Sequence, residues 1–160
     1  MTPVITIVKQ KNLIGLKQSM SLMDNKTGLL WQTFMPRRNE VQNRIGTEFY
    51  SIQIYEKDHF INFNPQRSFV KYAMVEVANF ELVPEGMETL TINEGTYAVF
   101  NYKGDASGAP KMFQYIFQTW LPSSGYILDD RPHFEILGDK YNKDSPDSEE
   151  EIWIPVRREL

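Results

Sequence analysis

A six-residue phrase occurs twice in this chain, and the repeat constrains the fold more than any other feature of the sequence. Residues 31–36 and residues 117–122, about half a chain apart, both read aromatic-Gln-Thr-aromatic-aliphatic-Pro. Such self-similarity is typical of a duplicated structural unit. We therefore predict one domain over residues 1–160, built from two related halves of about residues 1–82 and 83–160. The boundary between two such halves is a favourable place for a ligand cleft.

The charge distribution argues against nucleic-acid binding. The formal net charge is −4 at pH 7, and the segment 139–151, with six acidic residues and two lysines, accounts for it. The rest of the chain is balanced and has no stripe of basic residues of the kind that binds a phosphate backbone. We expect no direct contact with nucleic acid.

No sequence feature directs the chain into a membrane or into an oxidising compartment. It contains no cysteine, which excludes disulfides and thiolate chemistry. No apolar run approaches the roughly 20 residues that span a bilayer, and the first residues lack the basic and apolar regions of a signal peptide. These features predict a cytoplasmic protein without a membrane partner.

The two halves predict the same order of elements. In the first half, Asp24 or Asn25 can cap a helix that carries the first copy of the phrase and ends at Pro36. In the second half, Pro110 suits the first turn of a helix with one apolar stripe, which Pro122 and Gly125 end. The predicted strands cover residues 4–22, 49–55 and 72–80, then 90–103 (either one strand or a strand with an irregularity at Glu94-Gly95), 134–138 and 150–156.

This order predicts an α+β fold. Each half reads strand-helix-strand-strand, and one such unit alone would leave its sheet face and its helical stripe partly uncovered. Two units packed together cover both surfaces. We therefore expect an antiparallel sheet with the helices packed on one side, and a groove between the two modules.

Four segments of the chain resemble one known family. They are residues 95–104, 120–126, 131–135 and 151–156, with residues 72–77 matching more loosely. In this order and spacing they are similar to the GyrI-like effector-binding domain, which also forms the C-terminal domain of some AraC-type and MerR-type transcription regulators. The resemblance covers nearly the whole chain and is most specific in the second half.

The resemblance implies a fold and a type of ligand. Domains of this family contain two strand-helix-strand-strand modules related by a pseudo-twofold axis, with a groove between them. In multidrug-responsive members, the groove binds bulky aromatic cations through stacked aromatic side chains and a buried glutamate. Glu135 stands at the position of that glutamate in the motif. Since the chain carries no helix-turn-helix segment, we expect a stand-alone binding module that is regulator-like without its own DNA-binding domain.

Five residues are candidates for ligand binding, and each has an ordinary structural alternative. Strand alternation places Glu135 on the face opposite Phe134 and Ile136, where it either meets water or forms a carboxylate in an apolar cleft. Trp153 either stacks on a ligand or fills the core. Tyr72 and Met74 share a strand face that suits either an adaptable pocket or ordinary packing, and Tyr50 is a weaker candidate of the same kind.

The sequence predicts no cofactor and no metal site. His59 and His133 have no second histidine at helical spacing and no carboxylate cluster beside them in the sequence. No phosphate-binding loop, nucleotide fingerprint or nucleophile elbow is present.

Three functions remain open from the sequence alone. The leading one is binding of a small hydrophobic, cationic ligand, with Glu135 pairing the charge. The second is hydrolysis of reactive electrophiles such as cyclopropanoid compounds, a reaction that some relatives of this type carry out with a buried glutamate as general base, for which Glu135 is the candidate. The third is a gyrase-inhibitor-like contact with a protein partner, and a homodimer is compatible with the exposed strand edges of such a sheet.

Overall fold

The computed structural model describes residues 1–159 and has the α+β fold that the sequence predicts. Within this part of the chain there are nine strands, which are numbered in chain order. They are β1 (Val4–Val8), β2 (Lys11–Met20), β3 (Phe49–Ile54), β4 (Phe69–Val77), β5 (Glu88–Ile92), β6 (Gly95–Lys103), β7 (Tyr126–Leu128), β8 (His133–Leu137) and β9 (Glu149–Arg158).

Each half contributes one main helix, and a proline marks the end of each. In the first half, α1 spans Thr27–Phe34 and passes into a 3-10 turn at Met35–Glu40. Asn25 accepts a hydrogen bond from the Thr27 amide at 2.9 Å, although the residue at the N-cap position is Lys26. The second helix is a continuous series of three segments: α2 (Ala109–Tyr115), a π-helical segment (Ile116–Trp120) and α3 (Leu121–Ser123).

The strand order shows the duplication directly. The strands form one antiparallel sheet in the order β1-β6-β9-β8-β3-β4-β2-β5, and β7 pairs with β9 beside this path. The order is unchanged when it is read from the other end with β1 exchanged for β5, β2 for β6, β3 for β8 and β4 for β9. The units β2-α1-β3-β4 and β6-second helix-β8-β9 are therefore related by a pseudo-twofold axis between β3 and β8. The predicted pair of strand-helix-strand-strand modules is confirmed.

The two ends of the sheet are linked to each other, so the sheet curls. Val8 lies opposite Gly95 and Lys11 lies opposite Ile92, so the β1–β6 and β2–β5 ladders keep one register across a short break. The break between β5 and β6 lies beside Glu94-Gly95, where the sequence allowed an irregularity. The single strand expected over residues 4–22 is instead two strands. Up to Val8 the chain forms β1, which pairs with β6, and after a short break it forms β2, which pairs with β4 and β5.

The curled sheet has two apolar faces, and only one of them is covered by helices. On the outer face, α1 packs over a cluster that includes Ile14 and Val75, and the second helix packs over a cluster that includes Phe100 and Ile152. The inner face holds a third cluster, to which both modules contribute. It consists of Val8, Leu13, Tyr50, Ile52, Met74, Ile92, Tyr97 and Phe134, all buried.

Two further features complete the fold. The strand β7 was not predicted, because three residues directly after Gly125 are too short a run to show alternation. None of the helices within residues 1–159 has the length and apolar character that crossing a membrane requires.

Candidate functional site

Polar side chains are buried at the centre of the sheet, where β3 and β8 lie side by side. Ser51 lies opposite Glu135 and Gln53 lies opposite His133, and these four side chains are only 5–9% exposed. Ile152, the β9 residue opposite Glu135, packs in the cluster under the second helix, so all of them lie on the helix-covered face. Buried polar groups are the informative exceptions in a protein interior. We call these four residues the groove floor, because α1 covers β2 and β4 and the second helix covers β6 and β9 on either side of them.

Glu135 is the charged member of the groove floor, and no counter-ion lies within 4.0 Å of it among residues 1–159. Burial raises the pKa of its carboxyl above the usual value, while the positive charge of Lys71 and a hydrogen bond from Gln53 act in the opposite direction. The Lys71 ammonium donates to Thr27 Oγ1 at 3.1 Å, and among residues 1–159 no salt bridge within 4.0 Å includes Glu135. The site therefore holds a desolvated carboxyl that a cation would stabilise in its ionised form.

A second carboxyl lies beside Glu135. Glu150 is two residues from Ile152 along β9 and shares its face, which makes it a diagonal neighbour of Glu135. Burial and the charge of Glu135 raise the pKa of Glu150 to about 7, and Lys71 lowers it by a smaller amount. Two carboxyls that disfavour each other's ionisation give the groove an affinity for positive charge.

The raised pKa of Glu150 predicts a pH-dependent stability. The stabilisation from the protonated carboxyl is fully present below its unfolded value near 4.5 and is lost as the pH rises to about 7. Glu150→Gln should therefore increase the free energy of unfolding at pH 8 by about 1–2 kcal/mol, after allowance for partial exposure, and change it little at pH 4. Urea unfolding at both pH values measures this difference.

Glu149 provides a control of opposite sign on the same strand. A hydrogen bond from Asn101 and the charge of Lys140 lower the pKa of Glu149, so its contribution is present at neutral pH and is lost on acidification. Glu149→Gln should reduce the stability at pH 8 and reduce it by a smaller amount at pH 4. If Glu150→Gln also reduced the stability at pH 8, the assigned burial of Glu150 would be wrong.

The repeated phrase supplies equivalent aromatic residues at the two ends of the groove. Trp31 contacts Phe49 edge-to-face, with ring centroids 6.1 Å apart, and its counterpart Phe117 contacts His133, with centroids 6.2 Å apart. Phe49 and His133 lie at matching positions of β3 and β8 about the pseudo-twofold axis. The duplication therefore positions one aromatic wall at each end of the groove floor.

The loop between β3 and β4 covers one end of the groove, and the sequence did not identify it. Its Phe60 ring stacks on Phe117, with centroids 5.1 Å apart, and on His133 at 5.6 Å. Tyr55 contacts both His59 at 4.6 Å and His133 at 4.9 Å, which brings together two histidines that are distant in sequence. Burial lowers the pKa of His133 to about 3, so it is neutral at physiological pH. The available signal was the presence of large apolar residues in an otherwise polar loop.

The other four predicted site residues lie on the inner face of the sheet, away from Glu135. Tyr50, Tyr72, Met74 and Trp153 belong to the shared inner cluster or pack against it. Tyr50 donates a hydrogen bond to Glu76 at 3.3 Å, and Trp153 stacks on Phe134 with centroids 5.2 Å apart. The structure therefore does not bring these four together with Glu135, because the sheet separates them. Their role in ligand binding stays a prediction.

Two surface depressions lie elsewhere on the molecule. The larger one, about 560 Å³, is open and is lined by residues of β1, β6 and β9 together with Arg131. The groove floor contributes to neither of the two depressions, because the β3–β4 loop fills the space above His133. Over residues 1–159, no group of three or more acidic, histidine or cysteine side chains is arranged to hold a metal ion.

Sequence comparisons relate the chain to small-molecule binding domains. A family model described as a GyrI-like small molecule binding domain matches residues 1–157. BrlR, a transcriptional regulator of Pseudomonas aeruginosa, is 27% identical over 147 residues, which cover 91% of this chain and 52% of BrlR. The chain therefore spans about half the length of this curated relative.

Structure comparisons show the same fold in proteins of low sequence identity. SAV2435, solved bound to tetraphenylphosphonium, superimposes with a TM-score of 0.76 at 16% identity, covering 98% of this chain and 94% of SAV2435. The C-terminal domain of EcmrR gives a TM-score of 0.71 at 17% identity, covering 99% of this chain and 98% of that domain. At such identities the likeness concerns the fold alone.

Proposed function

The chain belongs to the GyrI-like small-molecule binding domain family, and from this premise we propose that it binds hydrophobic, cationic, drug-like compounds in the groove between its modules. One observation carries the proposal. The Glu135 carboxyl is 9% exposed, lies on the groove floor between the helices, and forms no salt bridge among the described residues.

The electrostatics favour a ligand that brings its own positive charge. An ionised carboxylate removed from water is costly unless a cation or several hydrogen bonds compensate it. Here Gln53 offers a hydrogen bond, and Lys71 contributes only a longer-range attraction. A cation near Glu135 would also relieve its repulsion with Glu150. Cation binding should therefore tighten as the pH rises through the raised pKa of Glu135, because the ionised carboxylate is the form that pairs with the cation.

The walls of the groove favour aromatic groups on the ligand. Trp31 and Phe117 stand at its two ends, and Tyr55 lies close enough to Glu135 for the charge to act on its hydroxyl. Aromatic faces attract cations by about 0.5–2 kcal/mol each. The neighbour SAV2435 was solved with tetraphenylphosphonium, a cation enclosed by aromatic rings, and this supports the same ligand class for the present chain.

A thermal-shift titration with tetraphenylphosphonium tests the proposal. The wild type should be stabilised in proportion to the logarithm of the ligand concentration above its dissociation constant. Glu135→Gln, which keeps the shape and removes the charge, should weaken binding about tenfold or more.

A matched control lies on the other face of the same sheet. Glu151 is exposed, and its carboxylate accepts a hydrogen bond from the Trp153 indole at 3.1 Å. Glu151→Gln makes the same change of net charge outside the groove and should bind like the wild type. Equal affinities of all three proteins would refute the role of Glu135.

The biological output that we propose is sequestration of such compounds or regulation through a separate partner. The family link to BrlR, a transcriptional regulator, supports a regulatory context. The matched region is about half of BrlR, so its activity as a regulator is not transferred to this chain.

A second candidate function is hydrolysis of reactive electrophiles. It rests on the combination of a buried carboxyl of raised pKa at Glu135 with the buried Tyr55 hydroxyl, whose pKa is raised by burial and by the charge of Glu135. A carboxyl in such surroundings can serve as a general base on water. Turnover of an electrophile by the wild type, lost in Glu135→Gln, would establish it, and binding without turnover would remove it.

A further inference from the structure

The Phe60 ring packs against aromatic rings on the helix-covered face, and we call the place that it occupies the slot. It is stacked on Phe117 with an interplanar angle of 25° and on His133 with an angle of 20°. Phe117 lies on the second helix, within its π-helical segment, while His133 lies on β8. The two rings that stack on Phe60 therefore belong to the other module, whereas Tyr55 and His59 of its own module contact it edge-to-face at 4.9 and 5.0 Å.

The segment that carries Phe60 makes most of its hydrogen bonds and ion pairs within the β3–β4 loop itself. Within residues 56–64, the backbone hydrogen bonds run from the His59 amide to the Glu56 carbonyl and from the Ile61 amide to the Asp58 carbonyl. Arg67 ties the same segment together through Glu56 and Asp58. In the described part of the chain, these residues form no sheet ladder with any strand. Phe60 can therefore leave the slot without breaking the sheet.

The closed arrangement leaves a polar group unsatisfied. His59 is 2% exposed, and its Nδ1 has no hydrogen-bond partner in the described part of the chain, residues 1–159. A buried nitrogen in this state loses the hydrogen bond that it would make with water. Opening of the segment would restore that hydrogen bond and would expose the Phe60 ring. The loop is thus held closed largely by its aromatic contacts.

We propose that the slot lined by Phe117 and His133, which contact each other beside it, is a subsite for one flat, uncharged aromatic ring, and that Phe60 occupies it while no ligand is bound. The extension to cationic ligands rests on the proposed function of Glu135. Glu135 lies two residues from His133 on the same face of β8, a separation of about 7 Å along the strand. A ligand that carries a positive charge about 7 Å from its aromatic ring therefore places the ring in the slot and the charge beside the Glu135 carboxylate.

Phe60 then competes with the ligand for the same slot. Only the fraction of molecules with the loop open accepts a ring, and the apparent affinity is reduced by that fraction. Removal of the Phe60 ring should strengthen the binding of aromatic ligands. Removal of the Phe117 ring should weaken it, because Phe117 is part of the slot itself. Opposite effects of the two substitutions would show that Phe60 occupies the slot and that Phe117 lines it.

Indole, a neutral and flat molecule, tests the slot independently of charge. In isothermal titration calorimetry, Phe60→Ala should bind indole at least about tenfold more tightly than the wild type, since the vacated slot is lined by the Phe117 and His133 rings. Phe60→Ala/Phe117→Ala should lose this gain. Phe63→Ala removes a 52% exposed ring from the same loop and should bind indole as weakly as the wild type.

The outcomes separate this proposal from the one on Glu135. Indole binding to Phe60→Ala should be unaffected by an added Glu135→Gln, because the probe carries no charge. If indole bound Phe60→Ala no better than the wild type, the ring subsite would be refuted even if tetraphenylphosphonium binding depended on Glu135. If indole bound as expected while Glu135→Gln left the affinity for tetraphenylphosphonium unchanged, the ring subsite would be supported and the cation site at Glu135 would be refuted. Phe60 is 37% exposed, so its replacement should not prevent folding. Phe60→Leu, which retains an apolar side chain without a flat ring, should give an intermediate gain.

Discussion

Gly15→Ala is expected to destabilise the protein by more than about 4 kcal/mol, which is enough to unfold a large fraction of it. A methyl group at this position would overlap the carbonyl oxygen of Ala73 and lie 2.8 Å from the Met74 Cα. Both atoms belong to the backbone of β4, so no side-chain rotation relieves the overlap. Gly15 is also one of the four β2 residues, 12–15, that pair with β4 and with β5 at once. The close approach of these strands requires a residue without a Cβ.

Gly28→Ala is the matched control for this prediction. Gly28 lies in α1, and a methyl group there would have no heavy atom within 4 Å. Because alanine favours the helix over glycine by up to about 1 kcal/mol, this variant should be slightly more stable than the wild type. Urea unfolding of the two variants should therefore give changes of opposite sign. A loss of less than 1 kcal/mol for Gly15→Ala would contradict the close approach of β2 and β4.

Phe134→Ala is expected to cost about 3–5 kcal/mol of unfolding free energy. Phe134 is fully buried and contacts three other aromatic rings on the inner face, those of Tyr50, Tyr97 and Trp153. Its removal leaves a cavity that rings anchored on three different strands cannot readily close. Phe63→Ala, at an exposed position of the β3–β4 loop, should change the stability by less than about 0.5 kcal/mol.

The same experiment tests whether the two modules fold as one unit. The inner cluster takes residues such as Leu13 and Ile52 from the first module and Tyr97 and Phe134 from the second. Phe134→Ala should therefore lower the unfolding midpoint of the whole chain in a single transition, whether far-ultraviolet circular dichroism or tryptophan fluorescence is the probe. Two separate transitions in the wild type would show that the modules unfold independently.

Much of the architecture was predictable, because repetition and periodicity are local properties of the chain. The repeated phrase at residues 31–36 and 117–122 predicted two related modules, and the strand order confirms them. Of the two alternatives for residues 90–103, one strand or a strand with an irregularity at Glu94-Gly95, the structure agrees with the second, because β5 ends at Ile92 and β6 begins at Gly95. The strand β7 was not predicted, because a three-residue strand is too short to show alternation and is defined by its pairing with β9.

The candidate site was predictable only in part. Alternation correctly placed Glu135 on the face opposite Phe134 and Ile136. It did not show which face the helices cover, and so Tyr50, Tyr72, Met74 and Trp153 were grouped with Glu135 although the sheet lies between them. The contact of Phe60 with His133 and Phe117 had no sequence signal of its own, because it joins a loop of one module to the other module.

The sequence by itself determined the local pattern: two copies of one unit, a carboxylate on one face of β8, and an aromatic residue at the same position of each helix. Only the tertiary structure decided that this carboxylate is buried between the modules and forms no salt bridge with any described residue, with Glu150 beside it and with Phe60 covering the end of the groove at His133. The physical reason is that alternation fixes the relative orientation of neighbouring side chains, whereas burial and charge pairing depend on packing between segments far apart in the chain.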